Sequence, residues 1–514
     1  MSLGTTRCVT LEGVTGAAIE VEAHLAAAIP AFTIVGLPDA ALGEAKDRVR
    51  AAISSSGLRW PQRRITVNLV PASLPKAGAL FDLAIAVAIL AADAQLDVVK
   101  AQATVHLGEL GLDGRLRPVR GILPAVAAAV RAGFQRVIVP YSNLQEAQLV
   151  PGARVAGAET LAQVARVYGA DLDAPPLETK PPEQAAHNNA DSALLDLRDV
   201  IGQPEAVKAL QVTAAGGHHL FMLGAPGAGK TMLARRLPGI LPKLTDHEAV
   251  EVTSVHSVAG TFQPGAGLIT RPPFEDPHHT ATAGAIVGGG SRILRPGAVS
   301  RAHCGVLFLD EAPEFSPRVL DTLRQPLEQG RVIIHRANSV ANFPARFQLV
   351  LAANPCPCGK AVGKGLECEC APMARRRYAS RLSGPLLDRV DLQVEVHPLT
   401  SARMVLEENG APNSSANVAV DVRRARELQQ QRWRGTPWSL NSQVPGDELR
   451  KRVDRGRVRQ LMSYLDTGRI SLRGVDRVLR VAWTLADLQD RPHPTDTDVG
   501  MALALRTRGR AGGF

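Results

Sequence analysis

The tightest constraint on this chain is an eight-residue glycine-rich stretch: Gly224, Ala225, Pro226, Gly227, Ala228, Gly229, Lys230 and Thr231. It follows the apolar run His219-Leu-Phe-Met-Leu223 and opens a helical pattern. Strand, glycine loop and helix in that order form a Walker A loop. The glycines let successive backbone N–H groups turn inward around phosphates, Lys230 reaches the β and γ oxygens, and the Thr231 hydroxyl ligates Mg²⁺. Such a chain is expected to contain a P-loop α/β module that binds ATP and Mg²⁺.

A second apolar run, Val306-Leu-Phe-Leu, ends in Asp310-Glu311. A buried strand ending in two carboxylates after a Walker A loop reads as Walker B, with Asp310 holding Mg²⁺ through water and Glu311 polarising the attacking water. Phosphoryl transfer rests on positioning and charge neutralisation, so a polar sensor and an arginine near the γ-phosphate are also expected. Arg346-Phe-Gln-Leu-Val-Leu-Ala-Ala-Asn354 supplies a third buried strand ending in an amide, suited to orienting the water. Ser383-Gly-Pro-Leu-Leu-Asp388-Arg389-Val-Asp391 ends a helix with an arginine, whose other reading is a local ion pair with Asp388 or Asp391.

At 514 residues the chain has room for three domains of about 100 to 200 residues, each able to bury a core. A formal charge of +10 favours a polyanionic partner. Residues 421–514 carry 19 Lys and Arg against 11 Asp and Glu, so +8 of that surplus lies in the last segment. Lys451-Arg452, Arg455, Arg457 and Arg459, with Trp433 and Trp438 upstream, read equally as a solvated helix face or a nucleic-acid surface. Met1 to Val9 lacks a basic start followed by an apolar core, which predicts a cytoplasmic protein. The longest apolar run, Ala79 to Ala92, contains Asp82 and falls short of the roughly 20 residues a membrane span needs, so no membrane partner is expected.

Of six cysteines, four form Cys356-Pro-Cys358 and Cys368-Glu-Cys370, immediately after Asn354. Two short knuckles of two thiolates each can close a tetrahedral Zn²⁺ site with no open position, hence a structural one; the other reading is a reduced, metal-free loop. Cys8 and Cys304 read as buried thiols. Between Walker A and Walker B, His278-His279, Gly288-Gly-Gly290 and Arg295-Pro-Gly297 read as a loop or hairpin projecting from the core. The adjacent histidines cannot face one way on a regular element, which argues against a metal there. Residues 171–191, rich in proline and polar groups, read as a linker, and Glu407 to Asn417 as the exit from the ATPase core. Val475 to Ala486 carries apolar residues at helical spacing.

Gly224 to Thr231, Pro277-His-His-Thr280, Gly288-Gly-Gly290, Gly305 to Glu311, Asn354-Pro-Cys-Pro-Cys-Gly359 and Arg381 to Arg389 together resemble the ComM/YifB-type magnesium-chelatase-like AAA+ ATPases over nearly the whole chain. The resemblance implies an α/β fold: a helix-2-insert AAA+ module at 192–400, a helical lid at 401–514, and an amino-terminal domain at 1–170. It also implies a homo-hexameric ring with ATP between subunits. Arg389 would then be the arginine finger acting on a neighbour's nucleotide. Ser471-Leu-Arg473-Gly474 looks like the family's sensor-2 site, making Arg473 the expected γ-phosphate contact, with Arg477 as the alternative.

The amino-terminal domain is similar to the Lon-protease-like, ribosomal-protein-S5-type fold, on Val70 to Asp82 and Gly108 to Gly121. Lon-type proteolysis needs a serine activated by a lysine. The alignment puts Leu80 at the serine and the lysine site near Leu123, so peptidase activity is not expected. A role in assembly or DNA contact is, as for the similar degenerate domain of RadA-type recombination ATPases. Resemblance to ComM implies a DNA motor that drives branch migration during natural transformation. A magnesium-chelatase motor subunit and an unfoldase are the other two classes.

Overall fold

A computed structural model describes residues 2–37, 40–76, 78–180, 195–290, 294–336, 339–361, 367–398, 414–468 and 470–507. The amino-terminal part is built on a seven-stranded mixed sheet. Its strand order is Ala31–Val35, Arg64–Val70, Thr15–Ala26, Ser2–Glu12, Val105–His106, Arg136–Pro140, Arg154–Ala158. Ser2–Glu12 and Thr15–Ala26 form a long antiparallel hairpin, from Ser2 opposite Leu25 to Glu12 opposite Thr15. The apolar run of the sequence becomes the helix Asp82–Ala92, every residue of which is buried against this hairpin. Gly4 permits the approach: a Cβ there would lie 2.2 Å from the carbonyl oxygen of Ala88.

Two of the polar groups enclosed with this core are tied by side-chain bonds. Arg48 donates two hydrogen bonds to Asp82, at 2.7 and 3.1 Å, and burial pushes that carboxyl up to about 6 against the pull of the guanidinium. His106 sits between the Thr6 hydroxyl and the Tyr168 hydroxyl, 2.7 Å from each, and burial drives its pKa down to about 3. At the positions aligned with the Lon serine and lysine, Leu80 packs against the core and Leu123 is buried in it.

Residues 171–180 differ from the expected linker. Glu178 exchanges backbone hydrogen bonds with Gly157, and Leu172 and Leu177 pack on the amino-terminal core. An extended proline-containing segment can add a bridge at a sheet edge, so this half belongs to the first domain's surface. Residues 181–191 lie outside the described residues, as do 399–413, where most of the expected exit from the ATPase core falls.

The second sheet has five parallel strands in the order Phe274–Glu275, Val306–Leu309, Gln348–Ala353, Leu220–Gly224, Leu392–Val396. The apolar runs of the sequence are its three inner strands, enclosed on both faces, which is why they lack polar alternation. Of the loop or hairpin expected for residues 274–303, the structure shows a hairpin, but it starts from an edge strand of the sheet rather than from irregular chain. Phe274–Glu275 pairs with the Walker B strand, Ala283–Val287 and Ala298–Arg301 are short helices, and Gly288–Gly289 pairs with Arg295–Pro296 as a small ribbon. Arg301 clamps Glu275 from 2.8 and 3.1 Å, which pins the ribbon's base to that edge.

Among the described residues beyond the sheet, five α-helices follow: Ser415–Arg432, Gly446–Lys451, Arg455–Asp466, Leu472–Asp487 and Asp496–Thr507. Ser414 and Ser471 cap two of them by accepting from the N–H groups of Asn417 and Gly474. Rather than burying a core of their own, they share one with the P-loop strand and the helix Pro204–Gly216. Trp433 is buried there, its indole donating to Asn441 at 3.1 Å, so it cannot stack on a nucleic-acid base. Many of the basic side chains here are paired: Arg432 with Asp487, Arg491 with Asp498, Lys451 with Glu448. Among the described residues no helix is long and apolar enough to cross a membrane.

His106 and His219 carry a testable acid sensitivity. His106 is fully buried and His219 partly so, and desolvation lowers them from 6.5 to about 3 and about 4. A base depressed in the fold contributes stability that is present above its unfolded pKa and is lost as pH falls below it. At pH 5 each should cost about 2 kcal/mol relative to pH 7.5. Urea unfolding at the two pH values should therefore show a loss about 2 kcal/mol smaller in His106→Gln than in the parent.

Candidate active site

The three inner strands deliver their chemistry at one edge, because parallel strands all end on the same side. Leu220–Gly224 runs straight into the glycine loop. Gly227 and Gly229 adopt left-handed φ of 76° and 95°, which a side chain would resist. Gly224 is required for a different reason: a Cβ there would meet the carbonyl oxygen of Val396 on the next strand at 2.3 Å.

Lys230 begins the following helix and is buried. Its ammonium donates to the carbonyls of Gly224 and Ala225, at 2.7 and 2.9 Å, and to Asn354 Oδ1 at 3.0 Å. Burial lowers its pKa, while Asp310 and Glu311 oppose the shift. Thr231 Oγ1 donates to Asp310 Oδ2 at 2.6 Å, so a hydroxyl and a carboxylate share one point beside the loop. That oxygen pair beside a nest of N–H groups fits Mg²⁺ and a polyphosphate. The Walker A lysine, the Walker B aspartate and the sensor amide are thus brought together from residues 124 apart in the chain.

Glu311 has a left-handed φ of 49°, unusual for a residue with a side chain, and its N–H donates to Asp310 Oδ1 at 2.9 Å. Such a conformation costs about 1–3 kcal/mol and persists where surrounding structure enforces it. His279 lies 3.4 Å from Glu311 Oε2 and packs edge-on against Phe315. No local pattern signals this contact, since the histidine sits 32 positions earlier in an irregular segment.

The two other predicted arginines do not join this group. Arg389 donates to the carbonyl of Pro385 at 2.5 Å and pairs with Glu328, not with Asp388 or Asp391. Arg473 and Arg389 both line a cavity of about 1020 Å³ that includes no residue of Gly224–Thr231. Its lining includes His219, Gly305, Gln348 and Asp391, which precede or open the parallel strands. It therefore opens at the amino ends of the sheet, about 15 Å of strand away from the glycine loop. Arg346, Arg423, Arg426 and Arg480 also line it. Arg477 lines the same cavity but is paired there with Asp391. Burial raises that carboxyl, but Arg477 and His218 hold it well below the usual carboxylate range.

The four cysteines converge: Cys356, Cys358, Cys368 and Cys370 have Sγ atoms all within 4.8 Å of one another. Cys8 is buried, and burial raises both its thiol and that of Cys304, the latter to about 12. Glu251, His303 and Cys304 also cluster, but His303 Nδ1 accepts the Arg346 N–H at 3.0 Å, which leaves Nε2 to donate to Glu251 at 3.3 Å. Both ring nitrogens are used, so this group is a latch between an inserted helix and the sheet.

A five-stranded parallel sheet with a Walker A lysine on a sensor amide and a Walker A threonine on a Walker B aspartate defines an AAA+-type ATPase that uses ATP and Mg²⁺. Family descriptions match along most of its length: magnesium chelatase subunit ChlI at residues 196–404, subunit ChlI of Mg-chelatase at 21–143, and the ChlI carboxy-terminal region at 412–506. The chain is 48% identical to a Mycobacterium tuberculosis protein, Rv2897c, covering 99% of both. It is 42% identical to the competence protein ComM of Haemophilus influenzae, covering 96% of this chain and 95% of ComM. It is 39% identical to YifB of Escherichia coli, covering 98% and 97%. The chain belongs to the ComM/YifB-type magnesium-chelatase-like family.

Proposed function

We propose that this protein is a cytoplasmic ATP-driven motor of the helix-2-insert AAA+ clade that works as a homo-hexamer on DNA, as a branch-migration helicase in recombination or transformation. Gly224–Thr231 cradle the phosphates, and Lys230 neutralises the β and γ oxygens. Thr231 and Asp310 would hold Mg²⁺, which would supply charge neutralisation at the phosphate oxygens. Glu311 takes up the water's proton and Asn354 orients that water. Arg389 and Arg473 act on a neighbouring subunit's ATP, with residues 401–514 as the lid that carries Arg473. The four cysteines bind structural zinc.

One observation carries the ring: both arginines face a cleft at the opposite end of the sheet from their own glycine loop. An arginine-lined cleft without its own nucleotide loop has a use when a second copy brings its loop to it, head to tail, and contacts of that kind close into rings. DNA as the polymer rests on the basic surplus of residues 421–514 and on the competence protein among the relatives.

ATP turnover by the purified protein should rise with single-stranded or branched DNA. The stimulation should fade between about 50 and 200 mM salt, as counterion release requires of phosphate contacts. Turnover indifferent to every DNA would sink the DNA reading. It would favour the chelatase motor that the family description names, or an unfoldase.

A further inference from the structure

Resting on the zinc reading above, we propose that the zinc-bound cysteine knuckle is a buttress for the Walker A loop, so that metal occupancy sets nucleotide affinity. The sulfur geometry suits one tetrahedral ion. Cys356 and Cys358 Sγ are 3.3 Å apart, Cys358 and Cys368 3.8 Å, and Cys368 and Cys356 3.7 Å. Zn–S bonds of about 2.3 Å in a tetrahedron give sulfur–sulfur edges of about 3.8 Å. Four thiolates leave no coordination position open, so the ion's effect must pass through the fold.

The route is short. Asn354, two residues before Cys356, accepts from Lys230. Beyond Cys358 the chain turns: the Gly359 N–H donates to the Cys356 carbonyl at 3.0 Å, with a left-handed φ of 76° at Gly359. The turn rests on the glycine loop, since a Cβ on Gly359 would lie 2.5 Å from both Cγ and Cδ of Pro226. Residues 354–359 therefore touch the loop at two points, Pro226 and Lys230. In the metal-free form weak S–H contacts link Cys356 and Cys358 to Cys368. With zinc bound, metal-ligation free energy becomes folding free energy for the turn on which Pro226 leans.

The test uses the full-length protein, elemental analysis for zinc, and titration with a fluorescent ADP analogue. One zinc per chain is expected; none would overturn the zinc reading and this inference together. Removal by a zinc-selective chelator should weaken nucleotide binding roughly tenfold, a size typical of coupled sites, and zinc re-addition should restore it. Unchanged affinity after removal would overturn the buttress while leaving the zinc site standing. Gly359→Ala guards against the chelated protein simply unfolding. It should keep its zinc and its circular dichroism spectrum yet bind nucleotide more weakly, whereas full affinity with zinc retained would overturn the coupling.

Discussion

Glu311→Gln is expected to lower ATP turnover at least about 100-fold while leaving nucleotide binding within a factor of about two. The amide is isosteric with the carboxylate, so the left-handed backbone at 311 and the approach of His279 survive. It cannot accept the proton of an attacking water, and that is the contribution removed. Lys230, Thr231 and Asp310 are untouched, so the phosphate and Mg²⁺ contacts persist and ATP accumulates on the protein. Single-turnover hydrolysis alongside fluorescent-nucleotide binding separates the two effects. Turnover within about threefold of the parent would remove Glu311 from the chemistry. Lys230→Ala differs in kind, because it removes a cation that also holds two loop carbonyls and Asn354, so binding and turnover should fall together.

The parts of this site that were legible from sequence are those whose signal is local. Walker A declares itself in eight consecutive residues, and Asp310-Glu311 and Asn354 each end an apolar run whose only economical place is a buried parallel strand. What escaped depends on pairings far apart in the chain. Phe274–Glu275 is a strand only because Val306–Leu307 lies beside it, and the three residues between Pro273 and Pro277 carry no periodicity. His279 reaches Glu311 through a fold of the insertion that its glycines and prolines mark as irregular but do not aim. Trp433 sits near a basic run and looks available to a base, yet Asn441 and the helix Leu472–Asp487 bury it. The cysteine spacing suggested a metal, but nothing in it placed Gly359 on Pro226. The end of the sheet at which Arg389 and Arg473 emerge is likewise a property of topology, and motif spacing is silent on it.

That topology makes Arg389→Ala the sharper of the two experiments. An arginine finger contributes about 10³ to 10⁵ in turnover, so loss of at least about 1000-fold is expected, with nucleotide affinity of the isolated chain unchanged. Misfolding is a poor explanation in advance. The guanidinium is largely buried, but its partners are an exposed Glu328, which water solvates once the arginine is gone, and one carbonyl. The decisive step is to co-express Arg389→Ala with Lys230→Ala. Each chain alone lacks one half of the catalytic group, but where an Arg389→Ala subunit offers its intact glycine loop to the intact arginine of a Lys230→Ala neighbour, the group is whole. With random mixing in equal amounts, one interface in four is productive, so turnover should recover to about a quarter of the parent's in a ring whose sites fire independently. An arginine acting on its own chain's nucleotide would give no recovery at any ratio. A cleft at the amino ends of the strands lies about 15 Å of strand from its own loop, so recovery is the outcome expected under the ring proposed above.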